Sequence, residues 1–220
     1  MLLAEELLLA ALDPERGTVV NSAGQALRVG LSGTLIAELG LGGALVVQDR
    51  RFTVTGPPPV DPLLRSVHEF LAGRSGRRSR DQVRRLDRAV GCVWSRVVDR
   101  LVAEGVLGRR RDCVLFVPVT RHPVLRSELR QAVLERVRAA AAGDGPIDAR
   151  TAVLLSLSGP CRLLEVVAPD RSTRRHARLR IEQATDLTPV TPAVKAVIAE
   201  MQAAATAVAV TAATSAAIGG

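Results

Sequence analysis

Proline and glycine cut this 220-residue chain into helix-length pieces, and that punctuation limits the fold more than any other feature. Leu2, Leu3, Leu7, Leu8, Ala11 and Leu12 recur at helical spacing until Asp13–Pro14 ends the run. "LSGTLIAELGL" places Leu31, Leu35, Ile36 and Leu39 on one face, closed by Gly40, Gly42 and Gly43. "ALVVQDRRFTVTG" predicts two short strands turning at Asp49–Arg50. "GPPPVDP" (56–62) is a stiff linker, since its four prolines cannot continue a helix or a central strand. A helix resumes in "LLRSVHEFLAG" and breaks at the Arg- and Gly-rich loop 73–80.

From Asp81 the pattern predicts one helix to about Glu104, with Val90, Val97, Leu101 and Val102 inward and Gly105 as its cap. A hairpin follows, with "GVL" and "CVLFVPV" as strands and Arg109, Arg110 and Arg111 at or beside the turn. Further helices are predicted in "LRSELRQAVLERVRAAAA", "ARTAVLLSLSG", "CRLLEVVA" and "RRHARLRIEQATD", and from Thr191–Pro192 onward. The order helix, glycine, two strands occurs at 31–54 and again at 95–119. The expected fold is mainly α: a single helical domain over 1–220, with one or two β-hairpins projecting at its edge and the 56–62 linker and 73–80 loop internal to it.

With 47% apolar residues, 2% aromatic and no tyrosine, the core must be aliphatic. The amino terminus carries Glu5 and Glu6 and no basic region, which argues for an amphipathic helix against a signal peptide. Residues 201–220 are uncharged, but Ala and Thr are weakly lipophilic, so a packed terminal helix is expected there, not a span. Cys92, Cys113 and Cys161 share no metal-type spacing and suggest idle thiols in a reducing compartment. His68, His122 and His176 are scattered, and no metal or cofactor is expected. "GLSGT" (30–34) lacks the strand and the Gly-x-Ser-x-Gly spacing of a nucleophile turn, so an enzyme is not expected.

The net charge of +8 comes almost wholly from arginine, Lys195 being the one lysine, and it favours polyanionic partners. Arginines gather in three groups: Arg74–Arg85, Arg171–Arg180 and the hairpin trio. The first two read most simply as solvated faces. Three like charges on a tight turn repel one another, and a bound anion relieves that repulsion. Two chemistries fit. On a membrane, Arg109, Arg110 and Arg111 bind lipid phosphates, while Leu107, Leu115 and Phe116 pack the hairpin or support shallow insertion. As the wing of a winged-helix module, the same hairpin holds nucleic-acid phosphate, although no polar recognition helix precedes it.

The chain resembles the Golgi phosphoprotein 3 family in its stand-alone bacterial form. The resemblance rests on "LLAEELLLAALDPERGTV", "GLSGTLIAELGLGGALVV", "RLVAEGVLGRRRDCVLFVPVTRHPVL" and "ARTAVLLSLSG", in that order and spacing. It implies one helical domain with a projecting hairpin that aids membrane insertion and self-association. It also implies binding of a phosphoinositide headgroup and recruitment of the cytosolic tails of membrane enzymes. The protein would then be cytoplasmic and peripherally attached to the inner face of a membrane.

In eukaryotic members the headgroup pocket uses a tryptophan, the arginine of a Gly-Leu-Arg-Gly motif, and an Arg-x-x-Arg pair on the helix before the hairpin. Here Ser32 stands at the motif's arginine, Gly91 and Trp94 stand at the pair, and "TVVNSAG" holds no tryptophan. A different anion site is expected from Arg28, Arg96 and Arg100, with Trp94 as a core or interfacial anchor. The expected partners are anionic lipid, membrane-protein tails and a second copy through the hairpin, with nucleic acid as the alternative.

Overall fold

The computed structural model describes residues 1–20, 24–75, 77–114, 117–183, 195, 196, 198–200, 202, 203 and 206. Its helices are α1 (Leu3–Ala11), α2 (Gly24–Leu41), α3 (Pro62–Ala72), α4 (Ser79–Ala89), α5 (Val93–Ala103), α6 (Ser127–Ala142), α7 (Ala149–Ser158), α8 (Leu164–Val167) and α9 (Arg174–Gln183). Two antiparallel hairpins stand apart from each other, β1 (Leu45–Gln48) with β2 (Arg51–Val54) and β3 (Arg110–Val114) with β4 (Val117–Arg121). The expected mainly helical fold with two hairpins is observed.

The first helix is more deeply placed than its sequence suggests. Where an amphipathic helix is expected, every residue of α1 is buried, Glu5 and Glu6 included. Carboxylates suit a helix's first turn, where unpaired N–H groups concentrate positive charge. These two are further compensated from distant elements: Arg100 of α5 reaches Glu5 at 2.7 Å, and Arg136 of α6 reaches Glu6 at 2.6 Å. Arg150 of α7 bridges Glu6 and Glu38, and Glu38 also accepts the Leu3 N–H at 2.7 Å. α2 packs against α1, α3, α4, α5 and α7. It starts two turns before the predicted stripe and comes so close to the turn after α7 that a Cβ on Gly30 would lie 2.4 Å from Cys161 Sγ.

The helix predicted from Asp81 to Glu104 is two helices. Gly91 and Cys92 take positive φ (77° and 58°) and break the run. The break is held by Asp87, which accepts the Val93 N–H at 2.8 Å, and by Arg96, whose Nη1 donates to the Val90 carbonyl at 3.0 Å. The amphipathic period alone could not show this, because Val83, Leu86, Val93 and Val97 stay inward on both sides of the break.

The first hairpin follows its sequence: Asp49 and Arg50 both have positive φ, the geometry of a tight two-residue turn. Phe52, fully buried, ties it to the core. The second hairpin differs from expectation. "GVL" is not a strand, because the Val106 and Leu107 N–H groups both donate to the Leu101 carbonyl and fold this segment against α5. Pairing starts at Arg110↔Arg121 and ends at Val114↔Val117. The arginine trio therefore stands at the base of the hairpin.

Gly17, at φ +62°, lies against this base and accepts the His122 N–H at 3.0 Å. Among the described residues, no helix is long and apolar enough to cross a membrane. The helix expected from Thr191–Pro192 and the alanine-rich terminus fall largely outside the described residues; within them, Ile198 is buried and Glu200 accepts a hydrogen bond from Ser79.

Candidate functional site

Ion pairing decides which arginines remain available to a ligand. At the hairpin base, Arg109 pairs with Asp99 at 2.5 Å and Arg110 with Asp112 at 3.0 Å, a carboxylate that also meets Arg121 at 2.9 Å. Arg111 is exposed and has no acidic partner among the described residues. Leu107 is 1% exposed and belongs to the core, so it packs the hairpin and does not face a membrane. Leu115 and Phe116 lie outside the described residues.

The second predicted cluster does not assemble. Arg100 is held by Glu5 at 2.7 Å and by Asp61 at 2.6 Å. Burial pulls its pKa down, but hydrogen bonds and charge from Glu5 and Asp61 outweigh that and raise it. On Asp61, burial is likewise outweighed: the Leu64 N–H, Arg100 and the Leu63 N–H together hold its carboxyl below the ordinary range while it caps α3. Arg96 is occupied by the Val90 carbonyl, and Trp94 packs half-buried against the core. Among the described residues, none of the three lines the cleft that Arg28 lines.

Arg28 instead faces α4. A cleft of about 640 Å³ lies between α2 and α4, a size typical of small-ligand sites. Arg28 and Ser32, one turn apart on α2, line one wall, and Arg84, Arg85 and Arg88 of α4 line the other. All four arginines are exposed, and none has an acidic partner among the described residues. Asp81 and Asp87 also line the cleft, so guanidinium groups outnumber carboxylates by two, and Asp87 already caps α5. Ser32 is fully buried, and its Oγ has no hydrogen-bond partner among the described residues. A buried hydroxyl without a partner is uncommon and needs an explanation. Its helix neighbours satisfy themselves, as Thr34 does by donating to the Leu31 carbonyl at 2.8 Å.

The sequence reading placed Arg84 and Arg85 in a group taken as a solvated face and did not single out Arg88. The available signal was their spacing, which sets them opposite the buried Ser79, Gln82, Val83 and Leu86. What the spacing could not show was that α2 would bring Arg28 and Ser32 across from them.

The sequence model of the Golgi phosphoprotein 3 (GPP34) family matches residues 3–201. The chain belongs to this family. Its members are known as non-catalytic, phosphoinositide-binding peripheral membrane proteins. No curated protein matches the chain. In this GPP34 protein the guanidinium groups that line the cleft with Ser32 come from Arg28, one turn earlier, and from α4.

Proposed function

We propose that this GPP34-family protein docks peripherally on membranes by binding anionic lipid headgroups in the cleft between α2 and α4. One observation carries the reading: four exposed arginines, none with an acidic partner among the described residues, line one cleft with a buried serine hydroxyl that has no hydrogen-bond partner among them. Guanidinium groups bind phosphate through two parallel hydrogen bonds. Each basic residue near an anionic surface contributes about 1 kcal/mol, so four of them suffice for reversible docking. Arg111, the member of the hairpin trio without an acidic partner among the described residues, supplies a secondary contact. Docking of this kind places the protein on the cytoplasmic face, where anionic lipid is exposed to it.

Sedimentation with vesicles tests the proposal. Vesicles containing anionic lipid, phosphoinositide among them, pull the protein down and neutral vesicles do not. Arg84→Ser with Arg88→Ser abolishes this binding without lowering the melting temperature, whereas Arg109→Ser with Arg110→Ser weakens it little. The reverse ranking moves the site to the hairpin. Displacement from vesicles by duplex DNA, with affinity falling steeply in salt, replaces the membrane reading with nucleic-acid binding.

A further inference from the structure

A segment beyond α9 reaches across to the start of α4. In it, Ile198 is 1% exposed, and Gln202 Nε2 donates to the Ile181 carbonyl of α9 at 3.2 Å. Between them, Glu200 Oε2 accepts the Ser79 hydroxyl at 2.5 Å, and Oε1 lies 3.5 Å from Arg50 Nε in the turn of the first hairpin. Ser79 is itself 1% exposed and donates its backbone N–H to the Arg50 carbonyl at 2.9 Å. Three segments distant in sequence thus meet at one carboxylate, the only acidic side chain after Asp186.

Holding the segment in place does not call for a charge. Ile198 and the Gln202 amide anchor it, and an amide oxygen at position 200 would accept the same hydroxyl. What the carboxylate adds is negative potential at the positive end of α4. Around that end, Arg77, Arg78 and Arg80 are exposed, and so is Arg51, which bridges Arg78; none has an acidic partner among the described residues. The cleft begins close by, since Asp81, two residues past Ser79, already lines it. Arg84 follows five residues past Ser79, about 7.5 Å along the helix. That is within the screening length of about 8 Å at physiological salt. Glu200 therefore lowers the positive potential of the wall that an anionic surface must meet.

We infer that Glu200 is an electrostatic latch: the segment carrying it holds back docking on anionic membrane, and docking loosens the segment in return. The inference rests on the membrane reading. Its second half follows from its first, because coupling between two equilibria is reciprocal. If the latched carboxylate weakens docking by some factor, docking shifts the latch towards release by the same factor.

Glu200→Gln keeps the hydroxyl acceptor and removes the charge. Sedimentation with vesicles of anionic lipid in a neutral carrier is expected to show about fivefold tighter binding, the factor carried by one charge at such a surface. Glu135→Gln is the control, an equal change in net charge on α6, which packs on α1, α7, α8 and α9; it shifts binding less than about twofold. In the wild-type protein, anionic vesicles speed hydrogen exchange at the Ser79 amide and at residues 198–200, and neutral vesicles do not. This second readout needs no variant, so it decides the matter should Glu200→Gln not melt as the native protein does.

Equal tightening in both variants reduces the effect to net charge and overturns the latch, leaving the membrane reading standing. Exchange at Ser79 and 198–200 that anionic vesicles slow or leave unchanged overturns it as well. Vesicle binding by Glu200→Gln alone supports both the latch and the membrane reading. If neither the wild type nor Glu200→Gln binds anionic vesicles, the membrane reading falls and the latch falls with it.

Discussion

Arg100→Met separates structural arginines from binding ones. In the folded protein Glu5 is 0% exposed, with one carboxylate oxygen on Arg100 Nε at 2.7 Å and the other on the Leu2 N–H at 2.6 Å. Methionine fills much of the space but leaves that carboxylate buried beside an apolar chain. Removing one partner of a buried pair costs about 3–5 kcal/mol. The Arg100 side chain is 30% exposed, so water screens the pair and the lower end, about 3 kcal/mol, applies. For a domain of this size that loss lowers the melting temperature by about 6–12 °C.

Urea unfolding followed by far-ultraviolet circular dichroism measures it, as a lower midpoint with unchanged slope. Adding Glu5→Gln removes the stranded charge and restores much of the loss. Vesicle binding per folded molecule stays at the wild-type level, because Arg100 does not line the cleft. A variant as stable as wild type but unable to bind vesicles would refute this reasoning and return Arg100 to the binding site.

Two further outcomes are expected. Gly17→Ala forces a side chain into a backbone at φ +62° and sets its Cβ 2.4 Å from the His122 carbonyl carbon, so either the loop or the hairpin base must move. The left-handed conformation alone costs about 1–2 kcal/mol; with the overlap, the urea midpoint falls further, and hydrogen exchange speeds up first at His122 and Val124. The carboxyls of Asp61 and Asp148 are held below the ordinary range, because N–H, hydroxyl and arginine contacts outweigh burial. Folding that depresses a carboxyl pKa contributes stability at pH above the unfolded value of about 3.9, and loses it as pH falls through the lower folded value. Stability therefore drops below about pH 4, and Asp61→Asn flattens that acid slope; an unchanged slope would contradict the pairing with Arg100.

The local code was legible in the residues themselves. Leucine spacing located α1, the alanine- and leucine-rich runs located α6 and α7, and Asp49–Arg50 located the first hairpin turn. These features depend on neighbours within a few residues, where periodicity and turn chemistry act. The family likeness was legible too, in motifs spread along most of the chain. Pairings between distant segments were not. Glu5 and Glu6 look like a polar face until α5, α6 and α7 deliver Arg100, Arg136 and Arg150 to them. The arginine trio looks like a charged turn until the register Arg110↔Arg121 moves it to the hairpin base, beside Asp99 and Asp112.

Arg28 and Arg88 are 60 positions apart, and the packing of α2 on α4 brings them to one cleft. Sequence by itself determined that this chain is helical, aliphatic in its core and rich in arginine. The tertiary structure decided which of those arginines are neutralised by carboxylates and which are left to meet an anion, because a charge's availability depends on what stands within a few ångströms of it, and that is set by packing between segments far apart in the chain.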